Sequence, residues 1–312
     1  MRIFDAHCDA LLKLWQHPDL SFTEVDERIQ VTLPDMGKGN VDLQVFASFV
    51  PMEIPAIQRF SAVLQMVQLF HEKVIGSGLT PIYTKEDFDQ CVLKRKKGAI
   101  LFVEGAHPLE ESMTNLYTLY RLGVRGIGFT WNFRNALADG CHEPNPGGLS
   151  LFGRKVLAEM NGLGMMVDVS HLAEPGFWDV VELTTAPFIA SHSNAKAICD
   201  HPRNLSDEQI KAMINKDAVI GLTFVDFFVA TEKRTVWIDD LLRHLDHVCS
   251  LGGVDHVAFS SDFDGTSVSF GDLKRASDYP LLVDALLKRY KEAEVEKFLY
   301  ENWLRVFRNV IK

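Results

Sequence analysis

The sequence lacks any long hydrophobic run: no apolar stretch reaches the roughly 18 residues that a membrane-spanning helix requires. Its last residues, VFRNVIK, carry charge where a lipid-anchor signal would be apolar. No basic segment followed by an apolar leader precedes the first β-rich run, RIFDAH. Cysteine is scarce and unpatterned. The five residues Cys8, Cys91, Cys141, Cys199 and Cys249 are odd in number and include no CxxC pair, which argues for reduced thiols rather than a disulfide framework. Positive charge is outnumbered, with 32 Lys and Arg against 42 Asp and Glu, so neither nucleic acid nor an anionic membrane surface is an expected partner. Internal repeats, low-complexity tracts and linkers are missing too. What remains is the expectation of a cytoplasmic globular protein with a single domain over residues 1–312, whose 47% hydrophobic content suffices for a large core.

What the sequence does have is a regular succession of short β-rich runs. RIFDAH, VDLQVFASFV, GAILFVEG, VRGIGFTW, GMMVDVSH, PFIASH, AVIGLTFV and HVAFSSD alternate with segments of helical periodicity, among them residues 57–78, 84–98, 149–164 and 204–217. About eight strands alternating with helices describe a (β/α)8 barrel of the α/β class, and the near-continuous apolar character of the runs suits parallel strands covered on both faces. Thr84 with Asp87 and Ser206 with Gln209 have the spacing of capping boxes, and Gly78, Gly98 and Gly162 are expected helix terminators. The basic run from Lys94 to Lys97 falls at a helix end, where cations oppose the helix dipole.

Metal-ligating residue types recur where these runs end. His7 and Asp9 close RIFDAHCD, Glu104 closes AILFVEG, His171 closes MMVDVSH, His192 closes PFIASH, and Asp262 follows HVAFSS. Strand side chains two apart share a face, so His7 and Asp9 form a clamp with Cys8 turned away. In a barrel, all strand C-termini open on one mouth, where these distant positions would converge. A single histidine is more often an ordinary core or surface group, but that explanation must be invoked separately at each position. Imidazole with carboxylate suits zinc or a similar divalent ion, and the number of donors exceeds what one catalytic ion takes from protein. The residues therefore point to a two-metal hydrolase site, in which two ions sharing a carboxylate and a hydroxide activate the nucleophile and polarise a carbonyl. Glu104, alone on its strand, is the best bridge. Asp168 or Ser170 is the expected acceptor for the second ring nitrogen of His171. His107, before Pro108, reads as a turn residue, and Phe224 as core or pocket wall.

The blocks DAHCD, VEG, DVSH, SHSNA and SDFDG, with PRN after the second single histidine, resemble in order and spacing the membrane (renal) dipeptidase family of zinc peptidases, from Arg2 to Arg308. The resemblance implies a barrel with a binuclear zinc centre that hydrolyses dipeptides and tolerates a D-residue at the C-terminal position. It implies that His7 and Asp9 hold one zinc, His171 and His192 the other, and that Glu104, counted as catalytic, bridges them. Asp262 becomes the acid/base that takes a proton from the attacking water and passes one to the leaving amine. Arg203, in HPRNLSD, becomes the grip on the substrate's terminal carboxylate, a task suited to a planar fork of donors. Related enzymes suggest a homodimer.

One departure stands out: where mammalian members carry a carbonyl-assisting histidine after the fourth strand, FTWNFRN places Trp131, which is expected to contact substrate. Asn132, or His142 in the loop LADGCHEPNPGGLS, is an alternative donor there. Two other readings remain: a metal-dependent N-acyl amino acid amidase, deacylase or lactonase on the same barrel, and a metal-bound binding protein inactivated at Trp131.

Overall fold

In the computed structural model, which describes residues 1–266 and 270–312, the β-rich runs form strands β1 (Ile3–Cys8), β2 (Val41–Phe49), β4 (Gly98–Glu104), β5 (Val124–Gly128), β6 (Met166–Asp168), β7 (Ile189–Ala190), β8 (Val219–Leu222) and β9 (Val257–Phe259). They are hydrogen-bonded in that order, all parallel. The seam between β9 and β1 is held past the strand ends, where Asp9 N–H donates to Phe263 O at 2.8 Å and Asp262 N–H to His7 O at 3.2 Å. This is the nearly closed α/β barrel anticipated from the alternation of runs. A short strand, β3 (Thr80–Pro81), was not anticipated; it pairs with Gly98 and Ala99 of β4, on an edge that β5 takes over only from Leu101.

Period-two alternation fills the barrel. Phe4, Ala6, Leu43, Val45, Ile100, Phe102, Met166, Ile189, Val219 and Ala258 form one interior apolar cluster, while the other faces pack on the surrounding helices. The C-terminal helix, Asn302–Val310, adds Trp303, Val306, Phe307 and Val310 to that interior, with Phe307 ring centroids 5.0 Å from Phe4 and 5.8 Å from Phe102. Continuing the alternation of β4 beyond Phe102 puts Glu104 on the inward face at the strand's end.

The helix starts follow the sequence signals. Both capping boxes form, at Thr84 with Asp87 and at Ser206 with Gln209. Gly78 ends its helical segment at φ 104° as expected, although that segment is an α-helix only over Ala56–Leu69 before it loosens and tightens into Phe70–Val74 and Ile75–Ser77. Two glycine assignments need correction. Gly98 opens β4, where an added Cβ would lie 2.6 Å from Leu43 Cδ2, so it is small for packing rather than for capping. Gly162 is inside the helix Leu151–Leu163, which ends instead at Gly164 in the left-handed region, φ 72°. All five cysteines are free thiols. Among the described residues no helix is long and apolar enough to cross a membrane.

Candidate metal centre

The strand ends bring His7, Asp9, Glu104, His171, His192 and Asp262 together, all nearly inaccessible. The clamp at the first strand is built differently from the expected one. A register irregularity between Asp5 and Cys8 breaks the alternation of β1, which sends Cys8 into the outer apolar layer. Asp9 has left the strand; it stands at φ −104°, ψ 28° just before the helix Ala10–Gln16, and its Oδ2 returns to 3.4 Å from His7 Nε2. His171 and Asp262 hold left-handed backbone conformations, φ 68° and 59°, which are uncommon for residues with a Cβ and concentrate where function over-determines the chain. Gly265 leaves room for the carboxylates, since a Cβ there would lie 2.4 Å from both Asp262 Oδ1 and Asp9 Oδ2.

Glu104 faces two groups with its two oxygens. Oε1 lies 2.9 Å from His171 Nε2 and 3.5 Å from His192 Nε2, while Oε2 lies 3.5 Å from His7 Nε2. Asp262 Oδ1 is 3.7 Å from the same His7 nitrogen. Two donor triads result, His7 with Glu104 and His192, and His7 with Asp9 and Asp262, the ligand atoms within each lying within 4.8 Å of one another.

Hydrogen-bond accounting gives the protonation of the two histidines opposite Glu104. His171 Nδ1 lies 2.7 Å from Asn132 Oδ1, which only accepts, so Nδ1 carries the proton and Nε2 a lone pair. His192 Nδ1 lies 2.7 Å from the Ser191 hydroxyl, whose own proton goes to Asp168 Oδ2 at 2.5 Å; again Nε2 is left bare. The two Nε2 atoms then face each other at 2.9 Å, lone pair against lone pair. His7 Nδ1, His7 Nε2 and Asp9 Oδ1 are buried without a hydrogen-bond partner among the described residues. Leaving such groups unsatisfied costs about 1–3 kcal/mol each, and a divalent cation held between the imidazoles and carboxylates offsets that cost. The donor set fits metal.

The electrostatics divide the donors: burial would lower His7, but the charges and hydrogen bonds of Glu104 and Asp9 hold it well above its usual range. Burial pushes His171 well below its usual range and His192 down to about 3, aided by Arg203 and His7 respectively, which keeps both as neutral ligands. Burial alone would raise Glu104, but His7, His171 and His192 around it hold it well below the carboxylate range. Asp262 is raised well above that range by burial and by the Asp9 and Glu104 charges, against the pull of His7 and Arg203.

Beside the centre lies a cavity of about 180 Å³ lined by Trp131, Asn132, His142, Arg203, Phe228 and Asp262, among others. A wider surface cavity adjoins it through His201 and Phe227 but carries none of the donors. Arg203 is 3% exposed; Nη2 donates to His192 O at 2.9 Å, the guanidinium lies 5.2 Å over the Phe228 ring, and Nε has no partner. No carboxylate among the described residues pairs with it. Trp131 forms the wall between Phe49 and His171, at ring distances of 5.2 and 6.2 Å.

Contrary to the expectation of Asp168 or Ser170 behind His171, Asn132 takes that place, whereas Asp168 and Ser170 serve His192 through Ser191 and through the His192 N–H at 3.0 Å. The reason is topological, because the loop after β5 folds Asn132 over the mouth. His107 is a turn residue bonded to Val50 O at 2.8 Å, and Phe224 is core, packed on Phe259, Phe263, Phe270 and Tyr279.

A family model described as membrane dipeptidase, peptidase family M19, matches residues 1–312. Among solved structures, a metallopeptidase from Rhodobacter sphaeroides liganded with a phosphinate mimic of the dipeptide L-Ala-D-Ala is 28% identical, with a TM-score of 0.93 over 99% of each chain. The dipeptidase AC, a metallopeptidase of family M19, is 29% identical with a TM-score of 0.92, covering 100% of this chain and 99% of its own. A protein from the pqqA 5′ region of Klebsiella pneumoniae is 34% identical over 234 residues, 72% of this chain and 86% of that one.

Proposed function

The chain belongs to the membrane dipeptidase family of metallopeptidases, and from that premise we propose that it is a two-zinc dipeptidase that accepts a D-residue at the C-terminal position of its substrate. It is a metal-dependent hydrolase. The observation that carries the finer reading is the pairing of a metal-type donor ring with a buried, carboxylate-free Arg203 across one small cavity.

His7 and Asp9 would hold one ion, His171 and His192 the other, with the two oxygens of Glu104 directed one to each side. When bound, such ions acidify water and polarise a carbonyl. The protein groups do the rest. Arg203 binds the terminal carboxylate of the substrate with its planar fork, which fixes where the peptide bond falls and favours dipeptides over longer chains. Asp262, whose raised pKa suits it to hold a proton, takes one from the attacking water and gives it to the departing amine nitrogen. Trp131, Phe49 and Phe228 wall the cavity and limit water. The Trp131 indole N–H is a donor at the position of the family's carbonyl-assisting histidine. One domain over 1–312 carries all of these groups.

The test is hydrolysis of L-L and L-D dipeptides and their N-acetylated counterparts by metal-stripped protein and by protein resupplied with zinc. Zinc-restored cleavage of the free dipeptides alone is the expected result. Cleavage of the acetylated compounds would indicate an N-acyl amino acid amidase instead, and cleavage of none a binding protein.

A further inference from the structure

Two buried aspartates outside the donor ring make the same three hydrogen bonds. Asp168, the last residue of β6, accepts at Oδ1 from the backbone N–H groups of Ser170 and Ser191, at 3.0 and 2.9 Å, and at Oδ2 from the Ser191 hydroxyl at 2.5 Å. Asp5, in β1, accepts at Oδ1 from the backbone N–H groups of His7 and Ser261, at 3.3 and 2.9 Å, and at Oδ2 from the Ser261 hydroxyl at 2.6 Å. Each aspartate therefore ties its own strand, two residues on, to a serine at the end of the neighbouring strand, β7 for Asp168 and β9 for Asp5. In both cases the residue after that serine belongs to the site: His192 after Ser191, Asp262 after Ser261.

We infer that Asp5 and Asp168 are a matched pair of positioning residues, acting through Ser261 and Ser191 on Asp262 and His192 respectively. The inference rests on the roles proposed above for those two side chains. The pair divides its work. Ser191 gives its single proton to the charged acceptor Asp168, because the alternative, Ser170 Oγ at 3.3 Å, is longer and neutral. It can then only accept from His192 Nδ1–H, which fixes the tautomer and turns the Nε2 lone pair toward Glu104. Among the described residues Ser261 makes no hydrogen bond to an imidazole, and its hydroxyl meets His7 only at the backbone O, at 3.2 Å. Having donated to Asp5, its oxygen accepts the Phe263 N–H at 3.1 Å, while its own N–H is held by Asp5. The backbone is thus pinned on both sides of Asp262, whose φ of 59° would otherwise relax. Asp168 governs donor strength at a metal ligand; Asp5 governs where the acid/base carboxyl stands.

The test uses Ser191→Ala and Ser261→Ala in the zinc-loaded full chain, with Asp168→Asn and Asp5→Asn as volume-conserving counterparts. Zinc retention against a chelator, kcat and KM for L-Ala-D-Ala, and thermal unfolding of the metal-stripped protein are measured. Ser191→Ala and Asp168→Asn are expected to weaken zinc retention about 10- to 100-fold. Ser261→Ala and Asp5→Asn are expected to keep zinc but lower kcat about 10- to 100-fold at unaltered KM. Variants that shift only the unfolding of the stripped protein, with wild-type zinc retention and kcat, would overturn the inference, as would the two phenotypes exchanged. Asp262→Asn and His192→Ala separate this from failure of the underlying roles. If those two keep normal turnover and zinc, the roles are wrong; if they lose them while the serine variants do not, only the positioning is wrong.

Discussion

Asp262 and Arg203 both have unusual environments, a carboxyl raised by burial among other carboxylates and a buried guanidinium without an acid among the described residues. Asp262→Asn is expected to reduce turnover about 10²- to 10⁴-fold, a typical range for a lost general acid/base, with metal content retained by elemental analysis. Arg203→Lys keeps the charge but loses the fork, and KM for a dipeptide should rise about 10- to 100-fold. The wild-type preference for a dipeptide over its C-terminal amide should shrink in the same variant; an unchanged preference would place the carboxylate elsewhere. At this scale the donor ring was legible because each member is a ligand-type residue at the end of an apolar run. The bond of Asn132 to His171 was not, although Asn132 itself stands out as a donor beside Trp131, and neither were Asp5 and the two serines, since their partners lie across strands and loops that only folding brings together. A faint signal existed: Ser191 and Ser261 each immediately precede a candidate site residue.

Among the elements, the caps are the most direct link from sequence to stability. Ser206 accepts from Gln209 N–H and begins the helix Asp207–Asn215, so Ser206→Ala is expected to cost about 1 kcal/mol in urea unfolding without changing metal content. The helix Ile238–Ser250 is tied down differently. His244 accepts from Ala195 N–H at 3.1 Å and donates to Val229 O at 3.0 Å, a neutral arrangement in which burial pushes its pKa down to about 4. The folded form binds its proton less readily than the unfolded chain, so this contribution is complete above about 6.5 and is lost as pH falls toward 4. Near pH 5 the loss is about 2 kcal/mol, and denaturation of His244→Gln at pH 7 and pH 5 should show a correspondingly smaller pH effect. Strand and helix order could be read because each strand sits in a longer apolar run that alternates with helical segments, even where the hydrogen-bonded strand is as short as β7. The two-residue β3 could not, and neither could the bulge that ends β1, where pairing across the sheet overrides alternation.

For the whole molecule, the barrel makes one site from segments as far apart as His7 and Asp262 by carrying every strand end to one mouth over an apolar interior filled by Phe4, Phe102 and the C-terminal helix. Because no single element holds a complete ligand set, metal binding and global folding are coupled, and bound metal should raise the unfolding temperature of the entire domain in one transition. This mouth is expected to hold two ions and to work only with them. That expectation is tested most directly by titrating zinc into metal-stripped protein while following bound metal per chain and L-Ala-D-Ala hydrolysis together. Saturation is expected at about two ions per chain, with activity appearing as they fill; full activity in the stripped protein, or saturation at one ion with full activity, would rule out a two-ion site.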